Sequence, residues 1–448
     1  MKWGRMVLAG VLLAGLGIAV WWSNRQEKAK EGQPAADAPP KILAISADSV
    51  KQVQIVHRGE DPVTVQFNAS GKWEMTSPKP LPADPVAVAA LTNTASRLDS
   101  ERVVDPNVTD LKAYGLAPAL IQVNFTTKDG KTSKLLIGEN TPEGSAVYAK
   151  LDGDPRLFTM ASSFKSTFDK EAKDLRDKRL LPFTQDKLSR IEITAQKQTY
   201  EFAKKGEGEW QIDKPKAMRA DNIQTDDLIQ RLKNADMDLS GVQDDKKIAA
   251  GFAAAAPLAI AKVTDQDGTK TLEIRKSKDD YYAKSSAVEG VYKVSKVLGD
   301  GLDKPVDAYR NKKVFDFGFS DPTHIEVIDG AKTSVFNKSG ETWTSANKKL
   351  DSTSVQAFID RLRDLTATKF ADTGFTTPVV TLTVVSNQGK QREQVEIAPA
   401  ASGGNFLARH GGDASFYELE ANVVKELRQA VGDVREAQPE KKKKWASA

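Results

Sequence analysis

Ser-Gly-Lys-Trp at 70–73, Gly-Glu-Gly-Glu-Trp at 206–210 and Ser-Gly-Glu-Thr-Trp at 339–343 write one short block three times. The tryptophans are 210 − 73 = 137 and 343 − 210 = 133 residues apart. A period this long is a whole domain, not a solenoid unit of roughly 20 to 50 residues. The block therefore predicts three similar modules in tandem.

What surrounds each block repeats as well. Asp84 (followed by Pro85), Asp221 and Asp351 stand 11, 11 and 8 residues after their tryptophans. Each can accept the free N–H groups of a first helical turn, and Pro fits the first helical position. Helical periodicity follows in Val88, Leu91, Ala95 and Leu98, in Leu228, Ile229 and Leu232, and in Val355, Phe358, Ile359, Leu362 and Leu365. Next come Gly115-Leu116…Pro118, Gly251-Phe252…Pro257 and Gly374-Phe375…Pro378, read as turns into extended runs. Alternating strands then flank Lys-Asp-Gly at 128–130, Gln-Asp-Gly at 266–268 and Asn-Gln-Gly at 387–389, which are hairpin signals. Two further strands recur (148–150 and 157–160 in the first copy), followed by a second amphipathic helix. Copies one and two close alike, on Leu175-Arg176-Asp177-Lys178 and Tyr309-Arg310-Asn311-Lys312; copy three stops at Val434-Arg435-Glu436. The expected fold is α+β: three tandem antiparallel-β modules with two helices each, preceded by one transmembrane helix.

This pattern resembles the bacterial domain-of-unknown-function family numbered 4340, over roughly residues 45 to 436. The residues that carry it are the Gly-x-Trp strand, Tyr114-Gly115-Leu116 with Pro118, Leu135-x-Ile137-Gly138, and Leu-Arg-Asp-Lys at 175–178. The resemblance implies a membrane-anchored protein that accompanies an ABC-type transport or gliding-type permease. It brings no catalytic residue.

The N-terminus sets the expected location. Lys2 and Arg5 precede the uncharged run Met6 to Trp22, 22 − 6 + 1 = 17 residues, the short end of a membrane span. Trp21-Trp22 suit the interfacial belt and occupy the place where a cleavage site would need small residues, which favours an uncleaved anchor over a signal peptide. The domain reading is 1–5 cytoplasmic, 6–22 signal anchor, 23–40 linker, 41–183, 184–318 and 319–436 modules, and 437–448 a basic tail. The modules would lie outside the cytoplasmic (inner) membrane.

The formal charge is +4, and Lys441 to Lys444 supply four positives, so the rest is balanced, which argues against nucleic acid as a partner. With no cysteine, disulfides, thiol catalysis and Cys-zinc sites are excluded. His57, His324 and His410 lack close ligand spacing for a metal. Asp265-Gln-Asp-Gly opens like a calcium loop, but its twelfth position is Lys276. Ser162-x-x-Lys165 matches an acyl-enzyme signature without its companion motifs, and Ser162 and Ser295 read better as helix caps. No cofactor or metal is expected. The candidate interaction or inter-module residues are Arg176, Arg310, Trp73, Trp210 and Trp343, with Arg435 approximating the arginine slot in copy three. Residues 176–183 and 310–317 are expected to pack on the next module. The functional expectation is an extracytoplasmic scaffold or accessory protein with a membrane-protein partner. The alternatives are an envelope glycan- or lipid-binding module, and an enzyme whose site is assembled between modules.

Overall fold

The computed structural model describes residues 40–438 except 207, 242, 243 and 412. The Met6–Trp22 anchor, nearly all of the linker and the Lys441–Lys444 run lie outside the described residues. No helix among the described residues is long and apolar enough to cross a membrane. The contacts of the chain gather into two compact units that divide between Lys178 and Arg179.

The first unit holds a nine-stranded antiparallel sheet. Its strand order is Leu81–Pro82, Trp73–Ser77, Val63–Phe67, Val50–His57, Ile121–Thr127, Thr132–Asn140, Ala146–Leu151, Leu157–Ala161, Arg102–Asp105. A small second sheet pairs Lys41–Leu43 with Leu98–Asp99. The second unit holds two more large sheets, of eight and nine strands, with the same order from a two-residue edge (Met218–Arg219 and Lys348–Lys349) inward. Strand faces alternate as the pattern requires. In Arg190–Ala195 the residues Ile191, Ile193 and Ala195 are buried and their neighbours are not. The buried side of each sheet packs on helices, so each core is a two-layer sandwich of sheet and helix.

The first helix of each set is built as its sequence requires. Asp84 accepts from the N–H of Val86 at 2.8 Å, Asp221 from Gln224 at 3.0 Å and Asp351 from Ser354 at 2.9 Å. The helices Pro85–Ser96, Asn222–Lys233 and Ser352–Arg363 then bury the expected stripes, among them Leu91, Leu228 and Phe358, all 0% exposed. Each such side chain contributes roughly 1.5–3 kcal/mol by leaving water.

The expectation of two helices per module is met only beside the third sheet, by Ser352–Arg363 and Ala421–Gly432. Beside the first sheet the second helical stretch breaks into Ser162–Phe168 and Ala172–Leu175, the latter started where Asp174 accepts the Glu171 N–H at 3.0 Å. Beside the second sheet an additional helix, Asp245–Ala254, packs Ile248 and Phe252 on Tyr282 and Val291. It covers the edge strand Val291–Val294. In the other sheets an added strand, Arg102–Asp105 or Lys369–Ala371, protects the equivalent edge. This helix also corrects the turn reading of Gly251-Phe252. Gly251 lies inside the helix, and it is glycine because a Cβ there would sit 2.6 Å from the Tyr282 hydroxyl. Gly115 does end a turn, at φ +69°. Ser162 is not a cap, since its helix starts after Ala161 without a side-chain cap, whereas Ser295 accepts from the Leu298 N–H at 3.2 Å.

The segments that close each set lead into the next core. In the second unit Val314, Phe315 and Phe317 are buried in the third sheet's core, and the Val314 N–H donates to Leu365 O at 2.9 Å. Leu180 and Leu181 belong to the second sheet's core, with the Leu180 N–H donating to Ala235 O at 2.7 Å. In the first unit the equivalent place is taken by Ile42 and Leu43.

Asp221→Ala should cost about 1 kcal/mol of the second unit's stability, because the first-turn N–H groups lose their acceptor. Urea denaturation checks this, and Asp221→Asn should recover most of the loss.

Candidate functional site

The second and third sheets meet, within one unit, at a cluster of arginines, carboxylates and aromatic rings. Two arginines come from the second sheet's short edge. Arg219 ends the strand Met218–Arg219. Arg310 follows the short turn Val306–Tyr309 and bridges to Ala220. Tyr309 anchors that turn: it is 1% exposed and packs on Tyr200 and Phe202 at 5.7 and 5.5 Å between centroids. Burial pushes its hydroxyl up to about 12.

The third sheet supplies the acceptors. Tyr417 lies in the strand Phe416–Leu419, Phe370 in the edge strand Lys369–Ala371, and Asp413 in the hairpin between Phe406–His410 and Phe416–Leu419. Arg219 Nε donates to Asp413 Oδ2 at 3.1 Å, and Arg219 Nη2 donates to the Tyr417 hydroxyl oxygen at 2.7 Å. That hydroxyl donates in turn to Asp413 at 2.5 Å. The Arg219 guanidinium carbon lies 5.2 Å from the Tyr417 ring centre. Burial alone would lower the Arg219 pKa; Tyr417 and Asp413 outweigh it, so the net shift is upward. Burial pushes the Tyr417 hydroxyl up. Both groups keep their protons across any physiological range.

Arg310 is 7% exposed. Its guanidinium carbon stacks 3.4 Å from the Phe370 ring centre and its Nη1 donates to Asp307 at 3.0 Å. Phe370 meets Tyr417 edge-on at 5.4 Å, so both arginines rest on one aromatic pair. Lys216 adds an ion pair with Asp372, and Ser415 Oγ donates to the same carboxylate at 3.2 Å. The Lys216 ammonium holds the Asp372 carboxyl below the usual range. Glu393, 5% exposed, accepts from the Asp316 N–H at 2.6 Å and lies 3.3 Å from His410 Nε2. Two ion pairs cross from one sheet to the other, Arg219 with Asp413 and Lys216 with Asp372, while Arg310 pairs within its own connector and stacks across on Phe370. The arrangement locks two sheets together.

Of the residues singled out from the sequence, Arg310 is in this cluster. Arg176 sits at the same fold position in the first unit, bridged to Ala83, with its N–H donating to Ala172 O at 3.1 Å. Trp210 and Trp343 are core residues at 7% and 5% exposure, and Trp73 is half-buried against Phe67. Arg435 does not hold the arginine slot. The bridge partner of Leu350, equivalent to Ala220, is Glu436, so the third copy is offset by one residue. Arg435 is 73% exposed and pairs with Asp351 at 3.5 Å.

The sequence reading missed Arg219, Asp413 and Tyr417. Tyr417 occupies the strand position that holds Phe158 in the first sheet and Tyr292 in the second. Elsewhere, His57 pairs with Asp169 at 2.8 Å and His324 with Asn337 at 2.7 Å. The described residues hold no group of three metal-ligating side chains. Asp265, whose side chain is fully buried, is a turn brace: it accepts from the N–H groups of Thr184 at 3.1 Å and Asp267 at 3.0 Å and pairs with Lys270 at 3.1 Å.

Residues 73–211 and 210–384 each match the family model of Domain of unknown function (DUF4340). The chain belongs to this family. Each DUF4340 span starts at a Trp strand and runs through the arginine slot into the following sheet, so the family unit contains the element that joins one sheet to the next. No match is found among curated proteins or among solved structures.

Arg219→Ala should destabilise the junction by about 3 kcal/mol, because the largely buried Asp413 carboxylate loses its cationic partner and keeps only the Tyr417 hydroxyl. Arg219→Lys should restore little of it, since an ammonium lacks the planar fork. Hydrogen exchange of the third sheet's edge strand reads both. Asp265→Asn should cost about 1–3 kcal/mol at neutral pH by unpairing buried N–H and ammonium groups. Burial would raise the Asp265 pKa, but its N–H and Lys270 partners outweigh this and lower it from 3.8. Its stabilisation is thus present above that value and lost as pH falls through the lower, folded one. Wild type should lose stability more steeply than D265N below about pH 4 in denaturation series.

Proposed function

We propose that this protein is a single-pass, membrane-anchored extracytoplasmic scaffold or accessory protein. Its three large sheets are tandem copies of one module, and it serves a membrane complex of the ABC-type or gliding-type permease class. The observation that carries this reading is the use made of its charges. At the junction of the second and third sheets, Arg219 and Lys216 are neutralised across the contact by Asp413 and Asp372, which suits a part that holds a shape. An active site assembled between modules would need acid and base groups free to exchange protons. Here Asp413, Asp372 and Glu393 are each held by a donor from another strand or connector. A glycan platform on the block tryptophans would need them exposed, against the burial of Trp210 and Trp343. The Met6–Trp22 run supports the anchor and the inner-membrane location.

In-cell cross-linking of tagged full-length protein, mild-detergent purification and mass spectrometry test this, with a truncation starting at Lys41 as control. A permease or ATPase subunit captured only when the anchor is present is the expected result. Abundant intact protein with no specific partner would overturn it.

A further inference from the structure

No further inference is drawn: the strongest candidate, the cleft between the helix Asp245–Ala254 and the edge strand Val291–Val294, lined by Lys247, Ile248, Tyr282 and Lys293, carries nothing because its two lysines are already paired, with Asp244 at 3.5 Å and Asp280 at 2.9 Å, and nothing in the structure shows what would occupy it.

Discussion

The rest of the structure depends on one clasp made three times. The N–H of the capping aspartate donates to a carbonyl near the end of its own module: Asp84 to Leu175 at 2.8 Å, Asp221 to Tyr309 at 2.8 Å, Asp351 to Arg435 at 2.9 Å. A second bond closes each clasp from the other side, from Asp177 to Pro82, Asn311 to Arg219 and Ala437 to Lys349. These bonds join residues 175 − 84 = 91, 309 − 221 = 88 and 435 − 351 = 84 positions apart. Closing loops of that length costs chain entropy, which the buried helix stripe and sheet face must outweigh. Once closed, the clasp fixes where the module ends, and in the second unit it aims the following residues at the third core.

In the second unit the residue after the clasped Tyr309 carbonyl is an arginine. Arg310 lies beside the second sheet's short edge, against Phe370 in the edge strand of the third sheet. Arg310 and Arg219 flank Ala220 there and rest on Phe370 and Tyr417. Buried ion pairs are often near neutral for stability, because desolvation offsets attraction, but they penalise any other pairing strongly. That is the property a joint between modules needs. It fixes one angle and one register where an apolar patch would accept several.

Much of this was legible in the sequence because the signals were local. An aspartate at a helix start, a Gly in a hairpin turn and an alternating strand each act within a few residues, and threefold repetition made each visible. The block tryptophans were legible as a repeat but were offered as candidate interaction residues, whereas Trp210 and Trp343 lie in the cores. What escaped depended on distance or on register. Asp413 and Tyr417 stand 413 − 219 = 194 and 417 − 219 = 198 residues from Arg219, and nothing in their neighbourhood marks them as its partners. Glu436 escaped because alignment by residue type put Arg435 in the slot, whereas the backbone bridge to Leu350 picks the next residue. Gly251 read as a turn because Gly usually breaks helices. Here its missing side chain is what lets the helix lie against Tyr282.

The central claim is that the arginine-on-aromatic contact couples the second sheet to the third. A double-mutant cycle on Arg310→Ala and Phe370→Leu tests it most directly, with stability of the full chain measured by urea denaturation. A buried stacked pair of this kind should give a coupling energy of about 1–2 kcal/mol, with the double variant losing less than the two single losses added. Additive losses within about 0.3 kcal/mol would mean that the two residues act independently, and the account of the junction would be contradicted.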